Sequence, residues 1–299
     1  MTDLGETTTY LGLEVSRDRA NKTLTLCQSR YIADVVTRFG MAGCNAVTTP
    51  LPPSSQLVPF EGTASTSARS AYQQIIGSLM YAAIVSRPDI AFAVNSLARY
   101  AANPAPEHLA ATKHVLRYLA GTTTLGLRYN GARDANITAH SDSDWAASLA
   151  DRRSTGAFVF FLCGAAISWS SRRQRVVSLS STEAEYIALS QAAVQATWYR
   201  NITDELRVPL PLPLTLFGDN KGSIDLANNP IVGKGTKHIS IKFHFIRQCV
   251  EEGLVSLRRL PSAAVIADAL TKPLPRATLE LQRNALGLVN LTTPNEGGC

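Results

Sequence analysis

The sequence predicts an α/β fold: a mixed sheet with helices on its faces over residues 131–275, preceded by a smaller unit of a hairpin and helices. Three observations carry that expectation. From Leu125 onward, strand-like and helical segments follow one another in the order β-β-β-α-β-α-α-β-α. The 299 residues, 45% hydrophobic and 17% charged, can fill two domains of ordinary size around packed cores. Two aspartates, Asp142 and Asp144, stand where the strand-like run Ile137–Ser141 ends, a place where a sheet fixes the backbone behind a carboxylate.

Residues 9–28 read as a hairpin, with Tyr10–Val15 and Thr23–Cys27 as strands around the polar run SRDRANK. Gln28–Met41 has helical spacing, its stripe made by Tyr31, Ile32, Val35, Val36 and Phe39. Residues 48–70, rich in Pro, Ser and Thr, read as a linker. Helices are expected at Tyr72–Val85, at Asp89–Ala101 after Pro88, and at Pro106–Ala120 before Gly121. Their basic residues Arg87, Arg99, Lys113, His114 and Arg117 could face phosphates, but a solvated helix face is the more ordinary reading.

Beyond Leu125 the strands are Ile137–Ser141, Ala157–Leu162, Ala166–Trp169, Leu214–Gly218 and Leu254–Leu260. The helices are Thr182–Leu206, Gly222–Asn228, Ile239–Glu252 and Ala264–Leu270, with a Gly/Lys loop at Val232–Thr236 and a tail over 276–299.

The net charge of +6 and a pI of about 9.2 suit a polyanionic partner without establishing one. Five scattered cysteines with no CxxC spacing point to reduced thiols in an intracellular protein rather than a zinc or disulfide framework. No apolar run is long enough to span a bilayer, so no membrane partner is expected.

Four acids fall where a metal site could be assembled: Asp142 at the end of the first strand, Glu183 or Glu185 early in the long helix, Asp219 after the fourth strand, and Asp268 in the last helix. Clustered carboxylates repel one another, so such a set makes sense only with hard cations, and oxygen-only ligation suits Mg²⁺ or Mn²⁺. Ser180 and Glu183 fit a capping box, which gives Glu183 a structural task. Periodicity itself leaves the two glutamates open. Glu185 shares a stripe with Leu189, Ala192 and Ala196, while Ile187, Val194 and Trp198 form a second stripe on the side of Glu183. Each acid also has an ordinary reading, Asp144 as a turn cap and Asp268 as an exposed helix charge.

The run SDSDWAASLADRRSTGAFVFFLCGAAISWSSRRQRVVSLSSTEAEYIALSQAA, with FGDNKGSIDLANNP, TKHISIKFHFIR and IADALTKPL, resembles the ribonuclease H domain of copia-type LTR retrotransposon Pol polyproteins. DLGETTTYLGLEV, QSRYIADVVTRFGM and YQQIIGSLMYAAIVSRPDIAFAV are similar to the part of the same polyprotein just after the reverse-transcriptase palm. The resemblance implies a ribonuclease H-like five-stranded mixed sheet over 131–275, a palm/thumb remnant over 1–47 and a thumb/connection-like helical unit over 71–130. It implies hydrolysis of the RNA strand of RNA–DNA hybrids with two Mg²⁺ ions, Mn²⁺ being a substitute. It assigns the catalytic and metal-binding roles to Asp142, Glu185, Asp219 and Asp268, with Asp142 bridging both ions, Asp268 the loosest ligand and a metal-bound water as nucleophile. The implied partners are the hybrid and the remaining reverse transcriptase and integrase parts. The implied location is a cytoplasmic virus-like particle or the nucleus.

The chain departs from the family in three places. The palm strand with the polymerase aspartates is not in it, so DNA synthesis by this polypeptide alone is not expected. The loop before TKHI usually carries a His and an Arg in the family; here Gly233 and Gly235 are in that neighbourhood, and Ser240 stands where the family often has Asp. The loop Pro261–Ile266 carries no His. Between Lys221 and Leu260, seven Lys/Arg face three acids. Phosphate contacts, which dominate hybrid binding, are therefore expected from Lys221, Lys237, His238 and Lys242, and from Arg152 and Arg153 in a second basic cluster with Arg172, Arg173 and Arg175. The alternative is a catalytically inactive nucleic-acid-binding remnant, and a phosphatase lacks the acidic pair it would need.

Overall fold

A computed structural model of the chain describes residues 5–55, 57–133, 135–146, 151–229 and 244–291. The chain divides into two compact units: Met1–Arg133 with Cys163–Ala165 and Pro273–Cys299, and Asp134–Leu162 with Ala166–Lys272. Among the described residues no helix is long and apolar enough to cross a membrane.

The first unit is built on an antiparallel sheet. Its strands are β1 (Thr9–Tyr10), β2 (Leu13–Asp18), β3 (Thr23–Cys27), β4 (Leu125–Asn130) and β10 (Leu288–Asn290), in the order β1-β2-β3-β4-β10. The expected strand Tyr10–Val15 is broken because Leu11 and Gly12 both take positive φ, which turns the chain between β1 and β2. Helices α1 (Ser29–Arg38), α2 (Thr66–Val85), α3 (Ala91–Ala98) and α4 (Pro106–Ala120) supply the apolar core, with Ile32, Tyr72, Leu79, Leu97, Leu116 and Leu119 fully buried. Helix α2 starts inside the expected linker, where the Ser65 side chain caps it by accepting from Ala68 N–H.

Residues 276–299, expected as a tail, contribute α8 (Arg276–Ala285) and β10, which pairs with β4. Leu279, Leu286 and Leu288 are the buried anchors. Residues 1–47 and 71–130, expected as separate segments, thus share one sheet and one unit.

The Arg87 side chain is neither phosphate-facing nor solvated: it is 0% exposed. Its guanidinium grips Asp89 through two bonds of 2.9 and 2.7 Å and donates to Thr122, while Tyr118 donates to the same carboxylate. Burial opposes both charges, yet their pairing outweighs it and holds Asp89 below the usual carboxylate range. Removing one member leaves the other buried and unpaired. Arg87→Met is expected to destabilise the protein by about 3–5 kcal/mol in urea unfolding followed by circular dichroism.

The second unit holds β5 (Thr138–Ser143), β6 (Thr155–Leu162), β7 (Ala165–Arg173, from Ala166 onward), β8 (Leu214–Gly218) and β9 (Val255–Arg259), in the order β7-β6-β5-β8-β9. Strand β5 runs antiparallel to β6 and parallel to β8, and β8 parallel to β9. Helix α5 (Ser181–Leu206) lays Tyr186, Leu189, Ala192, Ala193 and Ala196 into a core with Ala139, Phe160, Leu214 and Leu216. The alanines let the helix lie close to the sheet. Helices α6 (Lys221–Asn228) and α7 (Phe245–Glu251) complete the packing. The last expected helix is instead two 3₁₀ turns, Ser262–Ala264 and Ile266–Leu270. Extended backbone at Val265 separates the two turns.

Candidate metal centre

Strand pairing brings the first two acids together. The parallel register of β5 on β8 sets Thr138 against Thr215 and His140 against Phe217. Carried two residues further, the same register sets Asp142 beside Asp219 at adjoining strand ends. The first turns of α5 bring Glu185 to the same place, where its carboxylate accepts from Ser143 N–H at 3.0 Å. One oxygen from each of Asp142, Glu185 and Asp219 lies within 4.8 Å of the others. Asp142 and Glu185 are 7% and 6% exposed, and Asp219 is half-buried.

Glu183 is not in this group. Ser180 caps α5 by accepting from Glu183 N–H, and the Glu183 carboxylate accepts from Leu179 N–H at 2.7 Å, one residue before the partner a capping box uses. Asp144 holds the connection between β5 and β6, exchanging bonds with the backbone of Thr155.

Asp268 stands apart from the three. Its carboxylate binds Lys272 Nζ at 2.5 Å one helical turn on, although its charge still reaches Asp142. Burial opposes the Lys272 charge. The bond to Asp268 and the fields of Asp142 and Asp219 outweigh burial and hold the ammonium above its ordinary value.

The electrostatics are those of an uncompensated acidic cluster. Burial, joined by the charges of Asp268 and Asp219, pushes Asp142 up to about 6 against the pull of a Thr271 hydrogen bond. Burial and the neighbouring Asp142 and Asp219 push Glu185 up to about 9. An all-oxygen donor set in which Asp142 and Glu185 resist ionising fits a hard divalent cation, which restores their charged forms.

Of the basic residues expected at phosphates, Arg152 is exposed in a left-handed backbone conformation and Lys221 is exposed at the start of α6. Arg153 lies 3.7 Å from Asp151, which also binds Arg173 at 2.5 Å, so part of this basic cluster is neutralised internally. Lys237, His238 and Lys242 lie outside the described residues, as do Gly233, Gly235 and Ser240.

Sequence reasoning missed three residues around the cluster. His140, two positions before Asp142 on the same strand face, is buried and held neutral, its pKa lowered by burial to about 4. Gln174, 1% exposed, donates to Ala184 O and Ser143 Oγ and accepts from Ser178, which ties the neighbours of Glu185 and Asp142 together. Thr271 donates to Asp142. A hint for Thr271 stands in its place directly after the ADAL motif; Gln174 and His140 give no local sign.

The three-stranded antiparallel part joined to two parallel strands, with acids at the ends of its central pair, defines a ribonuclease H-like fold. No family model matches the chain. It is 38% identical over 282 residues to the retrovirus-related Pol polyprotein from transposon RE1 of Arabidopsis thaliana, covering 94% of this chain and 19% of that protein. It is 36% identical over 293 residues to the corresponding polyprotein from transposon TNT 1-94 of Nicotiana tabacum, covering 96% and 22%. Among solved structures, LC11-RNase H1 isolated from compost is 15% identical, with a TM-score of 0.37, covering 46% of this chain and 94% of that one. The chain belongs to the copia-type retrotransposon Pol polyproteins, as the sequence motifs implied, and spans about a fifth of the length of these relatives.

The raised carboxylates set a pH dependence. The folded protein keeps protons that the unfolded chain releases near pH 4. The stability from this source is complete below the unfolded values and is lost as pH rises through about 6 for Asp142 and about 9 for Glu185. The metal-free protein should therefore melt at progressively lower temperature from about pH 5 to about pH 9. Glu185→Gln should flatten that slope and raise the melting temperature at about pH 8, as read by calorimetry.

Proposed function

We propose that the second unit is the ribonuclease H of a retrotransposon Pol polyprotein, cutting the RNA strand of RNA–DNA hybrids. The observation that carries this reading is the convergence of Asp142, Glu185 and Asp219 within 4.8 Å at the adjoining ends of β5 and β8. These three would hold Mg²⁺, or Mn²⁺ in its place, with Asp268 contributing from the side once it is released from Lys272. Divalent ions bound there would polarise the scissile phosphate and stabilise the charge that develops on the attacking and leaving oxygens.

The chain's own residues have three tasks in this reading. The carboxylates ionise and hold a fixed geometry behind which the packed sheet and α5 exclude motion. Exposed Arg152 and Lys221, with Arg153, Lys237, His238 and Lys242, grip phosphates without reading sequence. RNA is told from DNA by its 2′-hydroxyls across the minor groove. The products would carry a 5′-phosphate and a 3′-hydroxyl. The first unit would serve as a thumb/connection-like element beside the rest of a polyprotein, inside a cytoplasmic particle or the nucleus. DNA synthesis is not assigned to this chain.

The test uses the full chain with Mg²⁺ and a strand-labelled RNA–DNA hybrid, with duplex DNA and single-stranded RNA as controls. RNA fragments should arise from the hybrid alone. Asp142→Asn and Asp219→Asn should each lower the cleavage rate on the order of a thousandfold, since each removes several kcal/mol of charge stabilisation. Undiminished cleavage by both variants would overturn the assignment.

A further inference from the structure

Thr271 follows the 3₁₀ turn that carries Asp268 and is 1% exposed. Its Oγ1 lies 2.6 Å from Asp142 Oδ2 and 3.1 Å from the Asp268 carbonyl oxygen. A hydroxyl has one proton to give. The Asp268 carbonyl already accepts the Thr271 N–H at 3.2 Å. A carboxylate is the stronger acceptor, and the bond to it is the shorter of the two. The hydroxyl proton therefore goes to Asp142.

The bond matters because of the torsion it controls. The last torsion of an aspartate is broad, so an unheld carboxylate turns easily about its Cβ–Cγ bond. A metal ligand must present a chosen lone pair, and groups that bond to a ligand from behind set that orientation. Thr271 holds one oxygen of Asp142. His140, on the same face of β5, accepts from Ile266 N–H at 3.3 Å, so a second bond ties the 3₁₀ segment to the strand.

We propose that Thr271 is a positioning residue of the metal centre: its hydroxyl clamps Asp142 Oδ2 and fixes the carboxylate plane in which that aspartate meets a divalent cation. The inference rests on reading the acidic cluster as a metal site, and it concerns a hydroxyl that cannot itself replace any of the acids. It also explains why a threonine stands where the chain could have buried a valine of the same shape without leaving a polar atom in the interior.

The test measures metal binding directly as well as cleavage. Mn²⁺ is titrated into wild-type full chain and into Thr271→Val, Thr271→Ala and Thr271→Ser, with free Mn²⁺ followed by electron paramagnetic resonance. Cleavage of the hybrid is followed against Mg²⁺ concentration. The Val and Ala variants should bind Mn²⁺ about 10–100-fold more weakly and need correspondingly more Mg²⁺, while Ser stays within about threefold of wild type. Should Val fail to fold, as judged by its metal-free melting, Ala against Ser gives the same comparison. Wild-type affinity in Val and Ala would overturn the role of Thr271 while leaving the metal site standing. Equal loss in Ser and Ala with wild-type affinity in Val would overturn it too, because the methyl group and not the hydroxyl would then matter. A wild-type chain that binds no Mn²⁺ overturns the metal-site reading itself, and this inference with it.

Discussion

Repulsion among three carboxylates is the constraint around which the second unit is organised. Asp142 and Glu185 are buried, and Asp219 stands within 4.8 Å of both. Two full charges about 5 Å apart repel by about 3 kcal/mol at an effective dielectric constant of 20. No isolated loop would hold them together at that cost. The parallel pairing of β5 and β8 fixes two of the acids by register, and the buried face of α5 fixes the third. Gln174 then joins Ser143 to Ala184 and so sets the spacing between the elements that bear Asp142 and Glu185. Burial first, and the neighbouring negative charges second, raise the pKa values of Asp142 and Glu185.

Much of that arrangement was legible in the sequence, and the reason is local. Period-two runs ending in an acid mark strand ends, and β5 and β8 both carry that signature ahead of Asp142 and Asp219. Glu183 and Glu185 were harder, because two apolar stripes run along α5. The structure separates them by what lies at each end: Ser180 and the Leu179 N–H take Glu183, and the Ser143 N–H takes Glu185. The rest depended on long-range pairing, which leaves no periodic trace. Nothing near Leu288 announces that β10 will return to pair with β4, and nothing near Gln174 names Ala184 as its partner. The helix expected over Asp268 failed for a different reason: its apolar spacing is helical, but extended backbone at Val265 splits the segment into two short 3₁₀ turns.

The first unit shows how far charge counting falls short. A basic chain invites a polyanion, yet Arg87 is spent inside the core, on Asp89 and Thr122. A buried ion pair of this kind contributes little net stability over an apolar replacement, but it penalises any packing in which one partner is missing. Arg87 closes the turn after α2 against the turn after α4, where Thr122 lies. It therefore helps to specify how those helices meet. In the second unit Arg173 and Arg153 are likewise drawn toward Asp151. These two arginines still face solvent, but a shared carboxylate offsets part of their charge.

The segment from Asp268 to Lys272 draws these themes together. Five residues put a carboxylate, a hydroxyl and an ammonium beside the cluster. The ammonium covers one negative charge, and it does so at Asp268, the acid that stands outside the group of three. Asp142 and Asp219 gain only the weaker, more distant part of that field, and burial leaves Asp142 and Glu185 reluctant to ionise. A monovalent charge built into the fold is thus enough to tether the fourth acid but not to neutralise the other three. What remains uncovered is a compact, oxygen-only, multiply negative site whose geometry is held from behind, and a divalent cation is the charge that balances it.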